Sequence, residues 1–213
     1  MEEKITFESG PCRLEGFWQA GTANKGVVIS HPHPLYGGTM HNPVVETIQS
    51  TYQEHGYATL RFNFRGVGSS QGHYDNGAGE QDDVRAAVAF VRNQAVPAVD
   101  LAGYSFGAWV NAGVAAENCT AIESMMMVSP PVGFIEFENS TPLSCLDLVV
   151  TGSRDDIAPA DRIRALLPTW NPGTHFEIIG GCDHFYVGYL DKLQSIIRSF
   201  LKNPKTKSPM KTG

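Results

Sequence analysis

Short apolar runs alternate with amphipathic stretches along most of this chain, and that alternation restricts its possible folds more than any other feature. From Gly26 onward the runs are residues 27–29, 57–60, 99–102, 125–128, 146–150 and 176–179, none longer than five residues. Too short for helices, they predict strands buried on both faces, as in a parallel sheet. Between them, apolar residues recur close to every 3.6 positions: Val44, Val45, Ile48 and Tyr52; Val84, Val88 and Val91; Leu190, Leu193, Ile197, Phe200 and Leu201. These stretches predict helices. Asn42-Pro43 supplies an N-cap and a first-turn proline for the first of them, and Gly56 is placed to stop it. The alternation predicts an α/β fold with a doubly wound, mostly parallel sheet. Before Gly26, apolar and polar residues alternate around residues 5–7 and 14–18, across Gly10-Pro11. That pattern predicts an antiparallel N-terminal hairpin of edge strands.

A chain of 213 residues, 42% hydrophobic, is long enough to bury one sizeable core. Residues 1–203 are read as a single domain. Residues 204–213, where Lys205, Lys207 and Lys211 mix with Pro204 and Pro209, are read as a disordered basic tail. The connection at 130–144 is too short to form a separate lid domain. The net charge of -6, with no basic cluster in the body, argues against nucleic acid and for a small soluble partner. Composition leaves the oligomeric state open. The start, Met1-Glu2-Glu3-Lys4, lacks the pattern of a signal peptide, and no run approaches the length of a membrane span. Cys12, Cys119, Cys145 and Cys182 form no C-x-x-C pair, so they are read as reduced thiols of a cytoplasmic protein.

In open α/β sheets, ligands bind outside the carboxyl ends of the strands, so chemically able residues just after strands are the candidates. Gly103-Tyr104-Ser105-Phe106-Gly107 joins a strand-like run to a helix-like one. A turn that sharp needs flanking positions without side chains, and it lifts a serine hydroxyl above the sheet edge. Asp155 and Asp156 follow the run at 146–150, and His184 follows the run at 176–179 in Gly180-Gly181-Cys182-Asp183-His184. The order along the chain is Ser, Asp, His.

That order and the serine turn resemble the α/β-hydrolase superfamily over nearly the whole chain. His31-Pro32-His33-Pro34-Leu35-Tyr36-Gly37-Gly38 and Arg65-Gly66-Val67-Gly68-Ser69-Ser70 are similar to segments of its compact, lidless bacterial branch of serine hydrolases and esterases. The resemblance implies the fold and the reaction class but not the substrate. It casts Ser105 as nucleophile, His184 as the base that takes its proton, and Asp155 as the group that orients the imidazole. Asp155 is preferred to Asp156 because the family's acid usually stands three residues after a glycine, here Gly152. Asp156 is then a surface carboxylate near the start of a helix around Pro159, and Asp183 orders its loop. Phe106 N–H is one expected oxyanion donor. The second comes from the 31–38 loop, where Pro32 and Pro34 have no N–H and His33, or else Leu35, can donate. Tyr36, Tyr104, Phe134 and Tyr186 are candidates for lining an apolar substrate pocket, with Phe106 beside them.

Other readings of the same residues are weaker. His31-x-His33 on an extended chain can share a metal, but no Asp-His pair follows and prolines intervene, so structural imidazoles are preferred. The glycines at 66, 68 and 72 miss the G-x-G-x-x-G spacing, which leaves no expectation of a nucleotide cofactor. Arg65 is read as a buried ion-pair anchor and Met125-Met126-Met127 as core. The sequence therefore predicts a cofactor-free, metal-free serine hydrolase working through an acyl-enzyme, with a small ester or thioester as substrate. Carboxylesterase action on small or short-acyl esters leads. A thioesterase or a lactone hydrolase of the dienelactone type would use the same machinery. An α/β-hydrolase-like binding protein with vestigial residues is the reading from another class.

Overall fold

The computed structural model describes residues 1–137 and 141–202. The basic tail expected at 204–213 lies outside the described residues. Eight strands form one sheet: β1 (Glu3–Ser9), β2 (Cys12–Gln19), β3 (Lys25–Ser30), β4 (Ala58–Phe62), β5 (Ala98–Tyr104), β6 (Met125–Val128), β7 (Leu146–Gly152) and β8 (His175–Ile179). Their spatial order is β1-β2-β4-β3-β5-β6-β7-β8. β1 pairs antiparallel with β2, and β2 with β4. Every later pairing is parallel.

The helices are α1 (Pro43–Glu54), α2 (Ala78–Asn93), α3 (Phe106–Asn118), α4 (Ala160–Trp170) and α5 (Leu190–Lys202). Because side chains alternate along a strand, each central strand feeds two cores. Val28, Leu101, Met125, Met127 and Val149 pack with Val84 and Val88 of α2, Val110 of α3 and Ile163 of α4. Val27, Ile29, Ala102, Met126, Val128 and Val150 pack with Val45 and Ile48 of α1 and Leu193 and Ile197 of α5. The Met125–Met127 run is core, as expected.

Local signals set the boundaries. Asn42 Oδ1 accepts the Val44 amide at 2.9 Å, with Pro43 at the first helical position. A cap of this kind contributes about 1 kcal/mol. Arg65 pairs with buried Asp83 of α2 at 2.8 Å, and Asp83 also accepts the Arg65 amide at 3.0 Å, anchoring the loop after β4.

Three expectations need correcting. β2 is not an edge strand: β4 covers it, because its alternating pattern serves a strand half-covered by helices as well as one at an edge. β8 is not buried on both faces; it is the other edge of the sheet and largely exposed, its apolar residues too few to demand a second cover. The four cysteines are not all thiols. Cys119, in the 3-10 turn after α3, meets Cys145 beside the entry to β7 in a disulfide with Cα atoms 5.6 Å apart, while Cys12 and Cys182 stay free and buried. A proximity between the end of α3 and the entry to β7, created by packing of the helix on the sheet, leaves no mark in the sequence spacing.

Candidate active site

Ser105 stands alone between β5 and α3 at φ 54°, ψ -120°. A non-glycine residue held there costs about 1–3 kcal/mol, so its surroundings must enforce it. The flanking glycines do so by permitting close approach. A Cβ on Gly103 would lie 2.6 Å from the Ala108 backbone, and one on Gly107 would lie 2.3 Å from the Ser30 carbonyl oxygen. Strand exit, serine and helix start therefore interlock. Ser30 Oγ also donates to Asn111 Oδ1 at 2.8 Å, tying the end of β3 to α3.

His184 and Asp155 come from the loops after β8 and β7. Ser105 Oγ is 2.9 Å from His184 Nε2, and His184 Nδ1 is 2.9 Å from both Asp155 oxygens. Burial raises the Asp155 pKa, but the hydrogen bond and charge of His184, the Ser129 hydroxyl and the Ala158 amide outweigh it and hold the carboxyl below its ordinary range. A carboxylate can only accept, so the imidazole proton sits on Nδ1 and Nε2 is left to accept from the serine. Tyr104 OH donates to the His184 carbonyl at 2.7 Å and fixes the backbone that carries the ring. Asp156 is exposed. Asp183 accepts the Phe185 amide at 3.0 Å and shapes the loop.

The 31–38 loop leaves β3 beside the serine turn. His31 is fully buried: its Nδ1 donates to Pro32 O at 2.6 Å and its Nε2 accepts the Phe64 amide at 3.0 Å. Burial pushes its pKa down to about 4, so the ring is neutral. His33 Nδ1 accepts the Leu35 amide at 3.2 Å, and its Nε2 faces Tyr74 OH at 3.4 Å. Both imidazoles thus spend their nitrogens within the loop and its neighbours. Since the Leu35 amide is engaged, it is no longer available to a ligand. The His33 and Phe106 amides make no hydrogen bond with other described residues.

These groups open onto a cavity of about 510 Å³. Its walls include His33, Tyr36, Tyr104, Phe106, Pro131, Phe134, Ile135, Ile157 and Phe185, and no Asp, Glu, Lys or Arg among the described residues lines it. Tyr36, Tyr104 and Phe134 line this cavity. Tyr186 does not: it is fully buried, its hydroxyl 2.8 Å from Ser129 Oγ, because the loop after His184 turns it inward at φ 59°. Phe185, the exposed neighbour, takes the wall position that sequence reasoning gave to Tyr186. Ile135 and Ile157 were missed as well. Adjacency to His184 and Asp155 was the available signal for Phe185 and Ile157.

Residues 16–161 match the X-Pro dipeptidyl-peptidase (S15) family. Over 210 residues the chain is 33% identical to the uncharacterized protein RP471 of Rickettsia prowazekii, covering 93% of this chain and 88% of that one. An alpha-beta serine hydrolase homologue from Coxiella burnetii superposes with a TM-score of 0.86 at 35% identity, over 92% of this chain and 96% of its own. XC6422 of Xanthomonas campestris, a serine hydrolase without a lid, superposes with a TM-score of 0.87 at 28% identity, over 98% and 97% of the two chains. The serine turn, the sheet that carries it and these likenesses agree: the chain belongs to the X-Pro dipeptidyl-peptidase (S15) family, within the α/β-hydrolase superfamily of serine hydrolases.

Proposed function

We propose that this hydrolase is a carboxylesterase for small or short-acyl esters, acting through an acyl-enzyme on Ser105. The observation that carries the reading is the unbroken Asp155–His184–Ser105 chain at the floor of an apolar cavity. Ser105 Oγ attacks the ester carbonyl carbon as its proton passes to His184 Nε2. The resulting oxyanion is held by the free amides of Phe106 and His33, each such donor being worth about 3 kcal/mol in the transition state. The carbon–oxygen bond to the alcohol breaks, and His184 returns the proton to the leaving oxygen. Water then attacks the acyl-enzyme with His184 again as base, releasing the acid and Ser105. No metal or nucleotide is required by these steps. Residues 1–203 serve as the one catalytic domain, and the cytoplasm is its proposed compartment.

The cavity walls favour this substrate class over the peptides in the family's name. Gripping a peptide's charged N-terminus calls for a buried carboxylate, and the described lining offers none. Uncharged esters gain most from such walls. Thioesters and lactones pass through the same tetrahedral intermediate and are the second reading. The test is the intact mass after treatment with a fluorophosphonate, with digestion to locate the adduct. One adduct on Ser105, absent in a folded Ser105→Ala variant that also loses ester turnover, is the expected result. A Ser105→Ala variant that still hydrolyses esters would sink the assignment, and an unlabelled, folded wild type would favour a binding protein.

A further inference from the structure

The glycine-rich 65–70 segment lines no part of the cavity and takes no step in the chemistry proposed above. It closes instead over two buried polar side chains, Asn63 just past β4 and Glu15 on β2. The Ser69 amide and Asn63 Nδ2 donate to Glu15 Oε1 at 2.7 and 2.8 Å, and Lys4 Nζ lies 3.0 Å from Glu15 Oε2. Burial raises the Glu15 pKa, but the Ser69 amide, Lys4 and Asn63 outweigh it and hold the carboxyl at about 2. A carboxylate can only accept, so Asn63 turns its NH2 toward Glu15 and its carbonyl oxygen the other way. Gly68 seals the pair: at φ 58°, a Cβ there would lie 2.3 Å from Glu15 Oε1 and 2.5 Å from Asn63 Nδ2.

We infer that Asn63 is a positioning residue for the second oxyanion donor, the Pro32–His33 amide, because Asn63 and Phe64 together clamp the 31–40 loop at its two ends. The inference rests on the roles proposed above for Ser105 and His33. At the far end of the loop, Asn63 Oδ1 accepts the amide of buried Met40 at 2.9 Å. At the near end, the Phe64 amide donates to His31 Nε2 at 3.0 Å, and His31 Nδ1 donates to Pro32 O at 2.6 Å. Pro32 O and His33 N–H belong to one planar trans peptide, so holding the carbonyl fixes the line of the N–H. Between the two ends, the Gly38 amide donates to His33 O at 3.0 Å, and a Cβ on Gly38 would lie 2.0 Å from Pro32 O. The segment that leads to Met40 is thus pressed on the very peptide that carries the donor. Without the Asn63 oxygen the Met40 amide is buried and unpaired, so this segment has to move to find another acceptor.

The test compares Asn63→Ala and Gly68→Ala with wild type in the full chain, with Lys4→Gln as the control. With an activated acetate ester, kcat is expected to fall about tenfold in Asn63→Ala and about threefold in Gly68→Ala, with KM changed by less than about twofold. Inhibition by a trifluoromethyl ketone, whose adduct with Ser105 carries the oxyanion, should weaken by the same factors. The acid limb of kcat/KM should stay in place, because His184 and Asp155 keep their contacts. Lys4→Gln removes only an exposed ammonium and should keep the wild-type kcat. In the wild type the Met40 amide should exchange its hydrogen slowly, a measurement that needs neither a variant nor a substrate. Fast exchange at Met40, or a folded Asn63→Ala protein with wild-type kcat and ketone affinity, would overturn the inference alone. So would a loss of kcat with a displaced acid limb, since that puts the damage at the triad. A wild type that neither hydrolyses the ester nor binds the ketone would instead remove the serine-hydrolase reading, and the inference with it.

Discussion

Substituting Gly107 by alanine should separate the serine from its oxyanion donors without touching any reacting group. A Cβ there would lie 2.3 Å from Ser30 O, 2.6 Å from Ser30 C and 2.7 Å from His31 O. All three are backbone atoms, so none can rotate aside. Ordinary carbon–oxygen contact begins at about 3.2 Å, so the start of α3 and the end of β3 must part by roughly 1 Å. Overpacking of this sort costs about 1–3 kcal/mol of stability. The functional cost is larger, since Phe106 N–H rides on α3 and His33 N–H on the loop leaving β3. A hole opened by that distance should lower kcat by about a hundredfold. Gly113→Ala is the control: its Cβ would meet the Gln81 side chain, whose amide end can swing away. Alanine is also the better helix former there, by up to about 1 kcal/mol. The assay is kcat and KM on an activated acetate ester, with thermal unfolding of each variant. A folded Gly107→Ala enzyme within threefold of wild-type kcat would refute the argument that this contact sets the oxyanion geometry.

Three further outcomes follow from the same geometry. Asp155→Asn should cut kcat by about 10⁴-fold by reversing the imidazole tautomer, whereas Asp156→Asn should leave it unchanged; equal losses in steady-state assays would reopen the choice between them. His31, neutral in the fold with its pKa pushed down from 6.5 to about 4, contributes full stability above pH 6.5. As pH falls from there toward 4, the unfolded chain takes up a proton that the folded one refuses, so up to about 3 kcal/mol should be lost; urea unfolding at pH 7 and 4.5 should show a smaller loss in His31→Asn than in wild type. Asp155 acts in the same direction in a lower window, as pH falls through its depressed folded value, and it cancels in that comparison. Phe134 and Phe185, 61% and 68% exposed at the cavity mouth, should hold apolar substituents; alanine at either should raise KM several-fold for butyrate or hexanoate esters while sparing acetate, and an equal effect on acetate would place these rings outside the substrate's path.

Much of this architecture was written locally. Residues 27–29, 99–102 and 125–128 read as buried strands because both of their faces are covered, and a side chain facing a core has to be apolar wherever it points. Asn42-Pro43 marked the start of α1 because a cap is a contact between near neighbours. Ser105, Asp155 and His184 were legible for a related reason: each follows its own strand directly, so the parallel sheet brings three distant loops to one edge without further information. What the sequence hid was long-range. β2 and β8 could not be sorted into covered and edge strands from their own residues, and the Cys119–Cys145 approach belongs to the packing of α3 against the sheet.

The misplacement of Tyr186 shows why the inner part of the site was the hardest to read. An aromatic two residues after the base looks like pocket wall, since in an extended loop it would point with His184 into the cavity. At φ 59° the chain reverses at Tyr186, sending its ring into the core and leaving Phe185 outside. Where a turn needs positive φ, glycine announces it, as at positions 103 and 107 the need for close approach did; a tyrosine or serine in that conformation gives no such sign. A left-handed turn made by a residue with a polar side chain carries a cost that glycine would avoid. At Ser129 and Tyr186 the side chains retained at that cost are joined to each other, hydroxyl to hydroxyl, at 2.8 Å. Glycine at either position would ease the backbone and break that hydrogen bond, so the strained conformation and the hydrogen bond have to be explained together.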